Sequence, residues 1–480
     1  MRFSGRVTAL AALAAFAGYV VFLGGAGCRM VSEYERPSVE VPESWRWKEA
    51  EPRDAEERGA WWSVFEDPVL DGLLREAEEG NFDLQAAFAR VEQARATARV
   101  SRADFYPQLN GAARFGRFRT SGNAPSPVGF PVPSLTLQQW ETPLDLSYEV
   151  DLWGRVRRSF ESARWLAMGA EAAWQAVLLA LRADVAASYY TLRSLEAEVR
   201  LLERTVAIRR EALEIFEQRL RVGMLTDFEV QRGRVEVASA EADLEAVRRE
   251  RAVEFNRLAT LCGLAPARFE LELPDGERSP PRVAADLPSA LLERRPDVAE
   301  AERMLAARLA EIGIARAAFF PSVRLTGSGG MLSGELKDLF EWDSRTWSLG
   351  PGVDIPLFAG GRNRAGLERA RAAYEEAVAE YRGRVLTAFR EVEDGLAALQ
   401  YLEGEAGARG VAAEAATRAA SQAFDRYRAG TVSFLDVVDA EQARLGSLLA
   451  RERTLRQQKL ATVRLLKALG GGWSEEESRL

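Results

Sequence analysis

From Leu144 to Leu152 apolar and polar residues alternate one by one, with Leu144, Leu146, Tyr148, Val150 and Leu152 on one side and Asp145, Ser147, Glu149 and Asp151 on the other. Successive side chains on a strand point to opposite faces, so this spacing predicts a strand with an apolar face and an acidic one. Trp153 and Gly154 close it, and a helix-compatible run with no proline then continues to Val222. The same order recurs later. Trp347, Leu349, Val353, Ile355 and Leu357 alternate with small or polar residues, and Phe358, Gly360, Gly361 and Arg362 open a second long helical run. Within that run Leu367, Ala370, Tyr374, Val378, Tyr381, Val385, Ala388, Val392, Leu396 and Leu399 follow steps of three and four, the seam along which long antiparallel helices pack.

The remaining elements follow in order. Leu70, Leu73, Leu74, Ala77, Leu84, Phe88, Val91 and Ala94 predict one amphipathic helix from about Asp67 to Ala103, ended by Phe105, Tyr106 and Pro107. A strand over Gln108 to Phe118 is expected next, then a polar loop over Arg119 to Gln139, from which the opening strand returns as the other arm of a hairpin. The helix from Gly154 to Val222 is about 100 Å long at ~1.5 Å per residue. It turns at Val222, Gly223 and Met224, and a return helix is expected from Asp227 to Leu261.

The second half repeats the first. Asn81-Phe82-Asp83-Leu84 answers to Arg295-Pro296-Asp297-Val298, and Phe105-Tyr106-Pro107 to Phe319-Phe320-Pro321, each 214 positions on. Arg219, Arg221, Gly223 and Val230 answer to Arg426, Arg428, Gly430 and Val437, each 207 on. A repeat this long is the duplication of one large module. The divisions implied are a signal segment over 1–27, an extended arm over 28–66, a first repeat over 67–264, a linker over 265–294, a second repeat over 295–469 and a polar tail over 470–480.

Composition narrows the chemistry. The net charge of −8 leaves no basic surplus for a nucleic-acid partner. No histidine occurs in the 480 residues, which removes the usual neutral-pH acid/base and the commonest metal ligand. The two cysteines, Cys28 and Cys262, form neither a ligand cluster nor a disulfide framework. With six methionines and no histidine, a soft-metal exporter is disfavoured, and neither a cofactor, a metal site nor a catalytic set is expected. At the N-terminus, Arg2 and Arg6 precede an uncharged apolar stretch from Val7 to Gly27 that reads as a cleaved signal segment.

Each half thus supplies two amphipathic strands, with Trp140 and Trp153, or Trp347 and Phe358, at their ends. These spacings approach the ~9–11 tilted residues that cross a bilayer, and aromatics suit its interfaces. Four strands do not close a barrel, and open edges are not tolerated in lipid, so several chains must pool strands; three chains give twelve. A soluble coiled-coil scaffold explains the helical seam but not the strands.

Cys28 with Tyr34-Glu35-Arg36-Pro37 and Trp45, then YEVDLWGRVRR, Pro356-Leu357-Phe358 to Gly361, AFREVEDGL and RYRAGTVSFLDVVDAEQ resemble the TolC/OprM family of outer-membrane efflux ducts, in particular its lipoprotein branch serving resistance-nodulation-division pumps. The resemblance spans the whole mature chain. It implies an α+β membrane protein: a homotrimer whose twelve-stranded β-barrel in outer-membrane lipid continues as an antiparallel α-helical coiled-coil barrel across the periplasm, fed by a periplasmic adaptor and an inner-membrane pump. A duct for type I protein secretion is the alternative within the family.

Residue by residue, the resemblance makes Cys28 the site of lipid attachment, although Gly25 stands where a leucine is usual. It makes the turns at Val222, Gly223, Met224 and at Ala429, Gly430, Thr431 the adaptor-docking tips, and Leu435, Asp436 and Asp439 the periplasmic gate. Glu229 and Tyr427 match its latch, whose arginine is here Val432. Asp436 and Asp439 lie one helical turn apart, so threefold symmetry would make rings of carboxylates. Asp145, Ser147, Glu149 and Asp151 are expected to face the barrel lumen.

Overall fold

The computed structural model describes residues 34–39, 41–42, 45–46, 60–123, 134–274 and 294–471. The signal segment, Cys28, most of the arm, most of the linker and the tail beyond 471 lie outside the described residues. The chain forms two compact units, residues 1–37, 92–169 and 302–380 in one and 38–91, 170–301 and 381–480 in the other, so each unit draws on both repeats.

The first unit holds one antiparallel sheet. Its strands are β1 (Gln108–Gly111), β2 (Arg114–Arg119), β3 (Thr136–Val150), β4 (Ser322–Ser333) and β5 (Arg345–Asp354), in the order β1-β3-β4-β5 with β2 also on β3. The strand expected over Gln108 to Phe118 is therefore two segments. The interruption at Ala112 and Ala113 lies opposite Thr142 and Pro143. Ala112 N–H donates to Pro143 O at 3.0 Å, but proline has no N–H to return the bond, and the ladder lapses there. The returning strand starts at Thr136, inside the stretch expected to be loop. It stops at Val150 rather than Leu152, and β5 stops at Asp354 rather than Leu357, since Pro356 offers no donor.

Register divides the sheet into two faces. Leu144, Leu146, Tyr148 and Val150 share a face with Leu109, Val323, Leu325, Leu349 and Val353. Asp145, Ser147 and Glu149 share the other with Asn110, Arg324, Thr326, Ser328 and Ser348. On the first face Trp347 is 83% exposed and Leu349 75%, so the chain alone leaves this apolar surface uncovered. No described helix is long and apolar enough to cross a membrane.

The second unit is helical. The amphipathic helix expected as one from Asp67 to Ala103 is two, α1 (Pro68–Gly80) and α2 (Phe82–Ala103). The break has a local cause. Asn81 adopts an extended ψ of 122°, its Oδ1 accepts from Leu84 N, and its Nδ2 donates to Leu261 O at 3.0 Å. Gly80 lies so close to the Cys262 carbonyl that a Cβ there would be 2.4 Å away. The repeat solves the same problem with a different residue: buried Arg295, the counterpart of Asn81, donates to Ala468 O at 3.1 Å while its remaining donors hold Asp297 and Glu391. Burial alone would push the Asp297 carboxyl up, but Arg295 outweighs it and holds the group below the ordinary carboxylate range.

Four long helices complete the chain: α3 (Arg155–Arg221), α4 (Asp227–Leu261), α6 (Arg362–Arg428) and α7 (Phe434–Ala468), with α5 (Pro296–Ala317) preceding β4. Leu195, Val199, Leu202 and Val206 of α3 pack on Ala240, Leu244 and Val247 of α4 as a heptad seam. Tyr381, Val385, Ala388, Val392 and Leu396 of α6 form a second core with Leu465, into which the arm inserts Trp45 against Phe389. Cys262 is buried as an apolar residue, and burial pushes its thiol up to about 12.

Candidate functional site

Two helical reversals of one design face each other in the second unit. After α3, Gly223 takes φ +72°, its N–H reaching Leu220 O while Met224 N–H reaches Arg219 O. After α6, Gly430 takes φ +73°, with Gly430 N–H on Tyr427 O and Thr431 N–H on Arg426 O. These paired bonds satisfy the last carbonyls of each helix, and the left-handed backbone is why both positions are glycine.

Each following helix opens with a capping box. The Glu229 carboxylate accepts from Thr226 N at 2.8 Å and from the Thr226 hydroxyl. The Asp436 carboxylate accepts from Ser433 N at 2.8 Å and the Ser433 hydroxyl at 2.6 Å. These hydroxyl and backbone donors hold both carboxyls below their ordinary range. Asp436, one of the acids expected at a gate, is thus turned onto its own helix start; it is exposed, as are Leu435 and Asp439.

Between the reversals lies a cavity of about 770 Å³, lined by Phe216, Leu225 and Glu229 from one hairpin and Phe424, Tyr427 and Phe434 from the other. Phe434 is the wedge. Its ring meets Phe216 edge-on at 4.1 Å between centroids and Tyr427 at 5.5 Å. Arg219 donates to the Tyr427 hydroxyl and lies over its ring at 5.2 Å. Glu229 and Tyr427, the two residues expected to form a latch, border one cavity but are held by different partners, Thr226 and Arg219. Val432, which follows Tyr427 across the second turn, is half-buried.

The sequence marks Arg219 only as a repeat landmark and Phe434 only as part of a motif, and does not single out Phe216. A signal existed: Phe434 stands where the first repeat has Asp227, so aligning the duplicates would have marked it as specific to the second turn. Of the remaining tip residues, Val222 and Met224 are exposed apolar side chains, and Ala429 and Thr431 are exposed as well.

On the sheet, Asp145 and Ser147 stand on the polar face. Glu149 shares that face and takes a two-pronged ion pair from Arg155 at 2.7 and 2.8 Å. Asp151 lies beyond the end of β3. There it accepts from Val156 N and Arg157 N and pairs with the Arg157 guanidinium, starting α3 after Gly154 at φ +79°. Trp153 pins this turn: its indole N–H donates to Pro321 O at 2.7 Å and its ring stacks on Phe320 at 4.8 Å. The Pro321 and Phe320 involved belong to the second copy of the repeated Phe-aromatic-Pro motif.

A sheet with one apolar face, long paired helices and twin reversals is also the arrangement found in known proteins. The model of the outer membrane efflux protein family matches residues 73–264 and 287–471. The outer membrane protein OprJ of Pseudomonas aeruginosa is 36% identical over 457 residues, 94% of each chain. The cation efflux system protein CusC of Escherichia coli is 32% identical over 465 residues, 95% of this chain and 98% of that one. A membrane protein of Pseudomonas aeruginosa solved by crystallography superposes with a TM-score of 0.85 at 36% identity, covering 93% of this chain and 98% of the other. The protein belongs to the outer membrane efflux protein family and is a channel of the outer membrane.

Proposed function

We propose that three copies of this chain assemble into one duct, with twelve strands closed as a barrel in the outer membrane and the long helices prolonging the passage into the periplasm. The observation that carries this is the sheet. Its acids stand on one face, the other is apolar and exposed, and both its edge positions, β1/β2 and β5, are unpaired in the single chain. Lipid tolerates an apolar face but not open edges, so closure by further copies satisfies both. Asp145, Ser147 and Glu149 then line the lumen, with Asp151 at its inner rim. Cys28 carries the lipid anchor.

The twin reversals are the periplasmic tip. The exposed turns at Val222 to Met224 and Ala429 to Thr431 receive a periplasmic adaptor, which joins the duct to an inner-membrane pump of the resistance-nodulation-division class. Leu435 and Asp439, with Asp436, form the constriction, and Glu229 and Tyr427 border the cavity that opens or shuts with it. Because the duct performs no chemistry, selection of cargo belongs to the pump. CusC is named for cation efflux, yet the absence of histidine and the small number of methionines, six, disfavour a soft-metal cargo here. Small toxic organic molecules, drugs among them, are the cargo this reading favours.

The test is planar-bilayer conductance of the purified protein beside Asp436→Ala/Asp439→Ala. A small wild-type conductance that rises several-fold in the variant is expected. Conductance equal in the two proteins removes the gate assignment and leaves the duct; a wild type that neither inserts nor conducts removes the duct.

A further inference from the structure

The two faces of the sheet differ in charge as sharply as in polarity. Along the paired strands every carboxylate, Glu141, Asp145, Glu149 and Asp354, stands on the lumen face. The lipid face carries none. Its charged residues are three arginines, Arg117, Arg119 and Arg345, all toward the loop ends of the strands and away from the helices. Each group lies just beyond an aromatic on the same face. Arg117 follows Phe115, whose ring lies 4.3 Å from that of its cross-strand partner Trp140, and Arg345 precedes Trp347 by two residues. Aromatics of this kind mark the bilayer interface, so the arginines sit at headgroup level. Because the helices leave from the opposite strand ends, that level is the outer leaflet.

These guanidinium groups are not used up internally. Arg345 gives its Nε–H to Trp342 O and Arg119 one N–H to the Ser134 hydroxyl, which leaves further donors on each. Arg117 has no hydrogen-bond or ion-pair partner among the described residues. In one chain Arg117 and Arg345 lie on opposite edges of the sheet. Closing a barrel sets β5 of one protomer against β1/β2 of the next, with strands ~4.8 Å apart, which puts the partner's Arg345 on the strand beside that of Arg117 and Arg119 and at the same loop end of the sheet.

We propose that each of these protomer boundaries is a binding site for a multiply phosphorylated glycolipid of the outer leaflet, of the lipid A class, with its phosphates on Arg117, Arg119 and the partner's Arg345 and its acyl chains along the apolar face. Guanidinium matches phosphate with paired N–H donors, and three cations without a carboxylate on that face suit a headgroup bearing more than one phosphate. A phosphatidylethanolamine headgroup brings an ammonium for which the strands offer no carboxylate on this face. The site rests on the trimer reading above.

Native mass spectrometry of the full protein released from detergent tests it, with bis-phosphorylated lipid A, phosphatidylethanolamine and inorganic phosphate as probes. The expected result is a trimer retaining up to three lipid A molecules, with little retention of phosphatidylethanolamine and no displacement by millimolar phosphate. Arg117→Gln/Arg119→Gln/Arg345→Gln should weaken lipid A about a hundredfold, at roughly fivefold per arginine. Arg117→Gln alone should show a fraction of that loss, and serves if the triple variant does not fold. Arg114→Gln, on the same strand but paired with Glu141 on the lumen face, should change nothing. Equal retention of lipid A and phosphatidylethanolamine, or a triple variant that binds like wild type, overturns the proposal while a trimer mass keeps the duct. Displacement by inorganic phosphate reduces the site to an ordinary anion patch and overturns the lipid. A wild type that is not trimeric removes the trimer reading itself.

Discussion

At Gly223 and at Gly430 the chain reverses with the same positive φ, the same pair of closing bonds and the same capping box, 207 positions apart. The side chains around those identical backbones have diverged. Asp227 in the first helix start is Phe434 in the second, Leu220 is Tyr427, and Arg232 is Asp439. Duplication therefore accounts for the turns, and only later divergence accounts for the wedge, the hydroxyl that takes Arg219, and the second acid. Asp436 keeps a counterpart in Glu229, so its carboxylate is explained as a cap; Asp439 has an arginine for a counterpart and needs another explanation. That contrast makes Asp439 the more informative of the two proposed gate acids.

The largest expected break in this comparison comes from removing the wedge. Phe434→Ala deletes both ring contacts and enlarges the cavity, at a local cost of about 2 kcal/mol. Asp227→Ala, at the matching position, removes an exposed side chain whose bond is to Gln231 and should stay within about 0.5 kcal/mol. Hydrogen exchange of the two turns reads both. Equal effects at the two turns would mean that Phe434 is not what joins the hairpins.

A smaller and deliberately symmetric effect is expected at the glycines. Alanine at either position must keep φ near +72°, which costs about 1 kcal/mol for an L-residue, and neither site has atoms within 4 Å to clash with a new Cβ. Gly223→Ala and Gly430→Ala should therefore raise local exchange about fivefold alike. If Gly430→Ala costs several times more, the second turn carries contacts from outside its own chain.

The strand alternation at Leu144 to Val150 and the steps along α6 were legible in the sequence because a single period decides each of them, and both elements are where that period puts them. The breaks were not. Asn81 interrupts a periodic helix because Gly80 must approach the Cys262 carbonyl, a contact 182 positions away that no window of sequence contains. Likewise Pro143 splits its neighbour strand rather than its own, and Asp151 reads as one more alternating acid until the strand ends one residue before it. At the tip, the turns were readable from Gly223 and Gly430 and the paired acids from their spacing. Arg219 and Phe216 were not, since what gives them a role is the packing of one hairpin on the other.

The subtlest expected difference between the turns is in acid. Glu229 and Asp436 both have depressed carboxyl pKa values because each accepts from a capping hydroxyl and backbone N–H. A group depressed on folding contributes stability that is fully present above its unfolded pKa, about 4.3 for Glu and 3.9 for Asp, and is lost as pH falls through the lower folded value. Both helix starts should thus loosen only below about pH 4, visible as faster hydrogen exchange at residues 226–230 and 433–437 after correction for the intrinsic rate. Ser433→Ala should weaken the acid response of the second turn, leaving only the part due to the backbone N–H, and leave that of the first unchanged. In the trimeric duct proposed above a further force enters, for carboxylates brought together around a threefold axis repel, and repulsion raises the pKa of each. If Asp436 and Asp439 converge there, the second turn gives up its cap at a higher pH than the first, although in the single chain both carboxyls are depressed by the same kind of bond. Release of both turns at the same pH would mean that the acids do not approach one another across the axis, and the constriction would then rest on Leu435 alone.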